Sequence, residues 1–449
     1  MGVGLPDGGL NNWEDDMKFK STVCSAVGIA LLGVAAFSVS ASAEDALVVN
    51  LTYRTGAFAP NGIPLANGQR DYWRLVNKRG GIDGVMIRYE ECETNYKTDK
   101  GVECYQGLKD GMVAITPNST GITYKLIPSA PVDKVPVLSM GYGMSAAADG
   151  RWFPWVFNFP TTYWSQASAL VKYVGSLEGG MDKLKGKKLG LIFLESSYGR
   201  EPIPVFEAMA KEFGYEFESW SVPGKSMQDQ RSQWRKIVRS NPDYVFNWGW
   251  GVMNSTAIQR ASELGFPMTK FIGNWWSGTE GDARPAGEGA KGYRAANFTA
   301  SGVDSDLHTA IFNEVYGKNW EEAKDNAFGE ILYNRGIMNA MLIGEAIRYA
   351  KKTHGTVTGE GVRDGYENLN LTEARLAEIG LAGFTKPIKV SCADHENNGP
   401  VMIQEWDGTK WVAVSDWISP MRDFVRPIIE AKAVEEAAKL EYKMRADCS

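Results

Sequence analysis

The segment KLGLIFLESSYGREPIPVFEAMAKEFGYEFESWS, residues 188–221, reads as strand, helix and strand in succession. Lys188–Leu194 is a short, almost continuous apolar run, as expected of a strand buried on both faces. Glu201–Phe213 has a helical pattern, and Glu216–Ser221 returns to strand character. The rhythm then continues: a helix over Gln230–Arg239, a strand over Tyr244–Trp248, a helix over Ser255–Leu264 and a strand over Lys270–Gly273. Strands separated by helices imply βαβ units and a mainly parallel sheet.

A similar series lies upstream. Ala46–Leu51 reads as a strand, Thr55–Gly62 as a Gly/Pro-rich loop and Leu65–Lys78 as a helix. Gly80–Gly81–Ile82–Asp83–Gly84 is a turn before the strand Val85–Tyr89, and Glu90–Thr98 a polar loop. A helix over Gly101–Lys109, a strand over Val113–Thr116, a helix over Thr120–Ser129 and a strand over Val135–Leu138 complete it. A linker near Phe159–Thr162 separates the two series, and Ser165–Ser176 begins the second as a helix. Two series predict an α/β protein with two doubly wound lobes. The expected division is 46–160 with 300–384 for the first lobe, and 161–299 with 385–449 for the second. Gly329–Lys351 is a long helix. Val401–Trp406 and Trp411–Val414 form a hairpin around Asp407–Gly408, a strong tight-turn dipeptide, and 428–444 is a terminal helix. Crossings between the lobes predict a three-stranded hinge with a cleft between the lobes.

The N-terminus carries a targeting signal. Lys18 and Lys20 precede the apolar run Val27–Phe37, and Ala41–Ser42–Ala43 precedes Glu44. These are the three parts of a secretory signal peptide. Residues 1–16 read as an extension and 17–43 as the signal peptide, which predicts a periplasmic location. The apolar run is short for a membrane span, and Cys24 lies before it instead of closing it. Export favours paired cysteines. Cys92 with Cys104 and Cys392 with Cys448 are the expected disulfides; a metal site would want CxxC spacing, which is missing.

Composition narrows the function. The 449 residues carry 48 basic and 54 acidic side chains, so nothing favours a phosphate backbone as partner. Three histidines are too few for a histidine-rich metal site. There is no GxSxG, Walker A or HExxH motif and no GxGxxG fingerprint joining a strand to a helix, so no enzyme, cofactor or metal is predicted. The chain does carry 15 tryptophans, an excess that needs a place.

In open parallel sheets ligands bind beyond the carboxyl ends of the strands. The candidates there are Tyr53, Asn118–Ser119–Thr120 and Gly141–Tyr142–Gly143 in the first lobe, and Tyr198, Trp250 and Trp275 in the second. The hydroxyls and amides after Asn118 suit a carboxylate, although plain helix capping explains any one of them equally well. The glycines at 141 and 143 would let a ligand approach the backbone. Trp250 is expected at the cleft and Trp248 in the core; of Trp275 and Trp276, the cleft position is assigned to Trp275.

The two-lobed, exported pattern resembles the type I periplasmic binding proteins, and within them the branched-chain amino acid binders of ABC transporters. The likeness spans roughly 46–385 and rests on Gly56–Gly62, Gly80–Gly84, Asn118–Thr120, Ser197–Gly199 and Phe271–Gly273. It implies a small ligand held between lobes by Ser119 and Thr120, by the Gly141–Tyr142–Gly143 loop, and by aromatic packing from Tyr198 and Trp250. It implies an inner-membrane ABC permease as partner. Where such amino-acid binders carry an acidic residue for the ligand ammonium, this sequence reads Asn274–Trp275–Trp276. A tryptophan does not neutralise a buried ammonium, so the expected ligand is either amino acid-like or a small apolar or aromatic carboxylate, unless a nearby carboxylate such as Glu280 takes that role. A sensory module of the same fold and an exported amidase-like enzyme are the competing readings.

Overall fold

The computed structural model describes residues 45–448. The expected extension and signal peptide lie outside the described residues. Strands β1 (Asp45–Thr52), β2 (Met86–Glu93), β3 (Met112–Thr116), β4 (Val137–Leu138) and β5 (Val156–Phe157) form one sheet in the order β2-β1-β3-β4-β5. All its pairings are parallel. The second sheet uses β6 (Lys188–Leu194), β7 (Glu216–Val222), β8 (Tyr244–Trp248), β9 (Phe271–Gly273) and β10 (Arg294–Asn297), again parallel to one another. A small antiparallel pair, β11 (Asn370–Leu371) and β12 (Ile388–Lys389), stands apart. The hairpin β13 (Met402–Trp406) and β14 (Trp411–Ala413) then adds antiparallel to β10, giving β14-β13-β10-β9-β8-β6-β7.

The central strands are apolar because helices cover both faces. Six of the seven residues of β6 and all five of β8 are buried, whereas the edge strand β7 exposes alternate charged residues. The helix Tyr163–Glu178 starts where the Thr162 hydroxyl accepts from the Ser165 amide at 3.1 Å, and it stops at Gly179 with φ 96°.

The chain crosses between lobes three times, near 158–162, 298–300 and 384–399. These segments run side by side: the Asn158 amide donates to the His395 carbonyl at 3.0 Å, and the Ala300 amide to that of Phe384 at 2.7 Å. The predicted two-lobed α/β architecture is therefore present.

Several boundaries differ. The first long helix spans Ala59–Lys78, beginning inside the expected loop. Pro60 sits in its first turn, where the missing N–H would have had no intrahelical partner anyway. β5 and β10 were not anticipated, since two to four residues give no periodicity to read. The terminal helix spans Arg422–Lys439, with Pro427 inside it. It spans both lobes: its first turn stays on the second, where Phe424 stands 6.1 Å from Phe213 and the Met421 amide donates to the Ser168 hydroxyl at 2.9 Å, and its later turns reach the first. Ala433 and Ala437 pack with Ile127 and Phe153 of the first lobe, and the Tyr442 hydroxyl donates to the Ile127 carbonyl at 2.9 Å. An amphipathic helix buries its apolar stripe wherever a matching surface lies, and the later turns find theirs beside the first sheet. Both expected disulfides, Cys92–Cys104 and Cys392–Cys448, are formed.

Candidate ligand-binding site

The carboxyl ends of β1, β3, β6, β8 and β9 converge on a cavity between the lobes. Its first-lobe wall holds Tyr53, Leu65, Tyr96, Asn118, Ser119, Thr120 and Tyr142. Its second-lobe wall holds Tyr163, Tyr198, Trp250 and Trp276. Five tyrosines and two tryptophans thus enclose it, and no lining residue bears a charged side chain.

The rings brace one another edge to face across the cleft. Trp250 stands 6.2 Å from Tyr53 and 5.5 Å from Trp276, and Trp276 stands 6.0 Å from Tyr142. The tyrosine hydroxyls have protein partners. Tyr53 donates to the Asn118 carbonyl at 3.2 Å, and Tyr142 accepts from the Asn118 amide at 2.7 Å. Tyr198 donates to the Gly249 carbonyl at 2.9 Å and accepts from the Asn274 side-chain amide at 2.8 Å. Burial raises the pKa of Tyr53, Tyr142 and Tyr198 alike, which keeps them neutral. Such tyrosines are held to present rings, not charges.

Ser119 and Thr120 divide the two roles between them. Ser119 is the N-cap of the helix Thr120–Leu126, with its hydroxyl accepting from the Ile122 amide at 3.5 Å. The Thr120 hydroxyl, the Trp250 indole N–H and the Asn118 side-chain oxygen are buried and make no protein hydrogen bond of good geometry among the described residues; the Tyr163 hydroxyl lies close to Thr120 and the Tyr53 hydroxyl close to Trp250 without such alignment. Buried polar atoms without partners are uncommon and point to a bound group. Asn118 holds φ 49°, a left-handed conformation that Asn tolerates, and this turns the chain into the helix.

The two glycines serve protein packing and not ligand approach. A Cβ at Gly143 would lie 2.4 Å from the Thr120 methyl and 2.7 Å from its Cα. A Cβ at Gly141 would lie 3.2 Å from the Trp275 ring. Neither glycine lines the cavity.

Trp275 also stands behind the wall. It is fully buried, stacked on Tyr163 at 5.8 Å and edge-on to Phe298 at 5.2 Å. Trp276 takes the cleft position, because the chain leaves strand geometry after Gly273 and alternation no longer applies. Trp248 packs against Tyr163 and Phe206 as expected of a core residue. Trp250 reaches the cavity because Gly249 and Gly251, the latter at φ 64°, bend the chain beyond β8. Glu280 does not line the cavity; its carboxylate accepts from the Ile331 amide at 3.1 Å. Tyr96, Tyr163, Leu65 and Trp276 were missed. Tyr96 lies two residues past the strand-end residue Thr94, in a loop whose Asn95 has φ 51°, and that position was its only signal.

Two contacts hold the lobes together beside the cavity. The indole N–H groups of Trp275 and Trp276 both donate to the Gly141 carbonyl, at 3.0 and 3.3 Å. The half-buried Glu201 carboxylate accepts from the Ser145 amide at 2.6 Å and from the Tyr124 hydroxyl. Desolvation raises its pKa.

A family model described as periplasmic binding protein matches residues 48–410. The chain belongs to that family. A structure from the Pseudomonas fluorescens group, described as an ABC transporter permease, is 36% identical to this binding protein, with a TM-score of 0.83 over 90% of this chain and 100% of its own. A branched-chain amino acid ABC transporter from Thermus thermophilus with bound valine is 19% identical, with a TM-score of 0.71 over 86% and 98% of the two chains. An ABC transporter solute-binding protein from R. palustris in complex with benzoate is 16% identical, with a TM-score of 0.64 over 83% and 96%. These last two show the fold alone. Among curated proteins none matches. The binding protein thus has the two-lobed type I architecture, with the cavity at the place where that architecture brings its strand ends together.

Proposed function

We propose that this protein is the solute-binding component of an ABC importer, exported to the periplasm, and that it takes a small carboxylate with an aromatic or apolar body. The observation that carries this reading is the cavity wall: seven aromatic rings, a Thr120 hydroxyl without a well-aligned protein partner and no charged side chain. A free amino acid would bring an ammonium that no lining carboxylate neutralises, and burying an unpaired charge is costly. A carboxylate is served by the Thr120 hydroxyl and the Trp250 N–H, while its apolar body packs on the rings. Valine is bound by one structural neighbour and benzoate by another, so the fold accommodates both classes.

Ligand binding favours closure through its extra affinity for the closed form. Gly141 with Trp275, and Glu201 with Tyr124 and Ser145, supply the protein's own share of that form. The closed form is then the one delivered to a membrane permease. Native mass spectrometry of the purified protein, followed by calorimetric titration with benzoate, 4-hydroxybenzoate, phenylacetate, leucine and valine, tests the reading. A co-purified aromatic or apolar carboxylate, with tighter binding of the acids than of the amino acids, supports it. Tight leucine or valine binding with none of the acids bound sinks it.

A further inference from the structure

Arg335 lies on the helix Ile331–His354 and is fully buried. Arginine in the interior ordinarily pairs with a carboxylate. Here it does not: one terminal nitrogen donates to the Trp275 carbonyl and the other to the Asn297 side-chain oxygen at 2.9 Å. Nε has no partner, and no carboxylate forms an ion pair with Arg335 among the described residues. The guanidinium instead lies 4.8 Å from the centre of the Trp276 ring and 4.4 Å from that of Phe298. Trp276 is the cavity wall, so a cation stands against one side of it.

Among the described residues no carboxylate touches this charge. Those acting on it through space are Glu280 and Asp282, and each is held by other groups: Glu280 accepts from the Ile331 amide, and Asp282 from the Asn61 and Asn254 side chains and the Thr279 amide. Desolvation lowers the pKa of Arg335 only to about 9, so the guanidinium stays charged at neutral pH. A low-dielectric, aromatic-walled cavity beside a cation without an ion-pair partner favours an anion and disfavours a cation.

We infer that Arg335 is a specificity-determining residue, which selects an anionic solute for the cavity by acting through the Trp276 ring without touching the ligand. The inference rests on the carboxylate reading above but is separable from it, since it concerns charge and not the aromatic body. The competing role is a purely structural clamp on the Trp275 carbonyl.

The test uses two matched probe pairs, benzoate with benzamide and 4-methylpentanoate with 4-methylpentanamide, titrated into the wild type, Arg335→Lys and Arg335→Met. The wild type should bind the acid of at least one pair more tightly than its amide. Arg335→Met should lose about tenfold or more for that acid and under about twofold for the amide, while Arg335→Lys keeps the preference. Circular dichroism melts confirm that each variant is folded; if Arg335→Met is not, Arg335→Gln takes its place in the comparison. Equal losses for acid and amide would mean a clamp and overturn the inference. So would a wild type with no acid preference in either pair. Acid preference in the aliphatic pair alone would leave Arg335 in place and refute the aromatic part of the proposed function.

Discussion

The Trp275 indole N–H donates to the Gly141 carbonyl at 3.0 Å, joining the strand-end loop of one lobe to that of the other. Gly141 is at φ 66°, and its bare Cα lets the Trp275 ring approach. Trp275 therefore packs between the lobes, while Trp250 and Trp276 line the cavity.

That division predicts different outcomes for two similar substitutions. Trp275→Ala should cost about 3–5 kcal/mol of stability, the usual range for emptying a fully buried tryptophan site. Trp250→Ala should weaken solute binding by about tenfold or more with a much smaller loss of stability. Urea denaturation of the unliganded proteins and calorimetric titration separate the two effects. Equal destabilisation by both would show that Trp250 is core.

Thr120 offers a cleaner probe. Its buried hydroxyl makes no well-aligned protein hydrogen bond, so Thr120→Val should leave stability unchanged or raise it by up to about 1 kcal/mol. Binding of a carboxylate solute should weaken by about 1.5–3 kcal/mol, the worth of a hydrogen bond to a charged group. Unchanged affinity in the titration would place the ligand elsewhere in the cavity.

Gly143 tests the wall by addition. A Cβ there meets the Thr120 Cα as well as its methyl, so turning the side chain alone does not relieve the clash and the Thr120 segment must move. Gly143→Ala should lower the melting temperature and abolish measurable solute binding, whereas Gly107→Ala, with open space around its Cβ position, should do neither.

Asp282 gives a pH signature. It is buried, accepts from the Asn61 and Asn254 side chains and the Thr279 amide, and has its pKa raised by desolvation from 3.8 to about 6. The folded protein thus holds this proton more tightly than the unfolded chain. Its contribution to stability is fully present below pH 3.8 and is lost as pH rises through about 6. A shift of this size is worth up to about 3 kcal/mol. Asp282→Asn should be less stable at low pH, because its amide offers one acceptor oxygen to the donors that two carboxyl oxygens serve, and should show a smaller decline between pH 4 and 7, the remainder coming from groups such as Glu280 and Glu201 whose pKa values are also raised. Melting curves at stepped pH would reveal a parallel decline in both proteins if another group is responsible.

The sequence by itself determined the βαβ rhythm, the two lobes, the hairpin and the cysteine pairs, because each is written in local periodicity, turn chemistry or spacing. KLGLIFL over 188–194 is a buried parallel strand whatever surrounds it. It also brought Tyr53, Asn118, Ser119, Thr120, Tyr142, Tyr198 and Trp250 to notice, since strand ends of open sheets are legible from strand positions. Tertiary structure alone decided between Trp275 and Trp276, as side-chain alternation ceases where the strand stops. It alone placed Tyr96 and Tyr163 in the wall, gave the glycines at 141 and 143 to protein neighbours, and laid the terminal helix across both lobes. Arg335 is the clearest case. In sequence it is one cation within a long helix; only the packing of that helix against Ala59–Lys78, with its first turns at the cleft, puts it behind Trp276 without an ion-pair partner. Burial and long-range pairing are properties of the folded whole, and no local pattern encodes them.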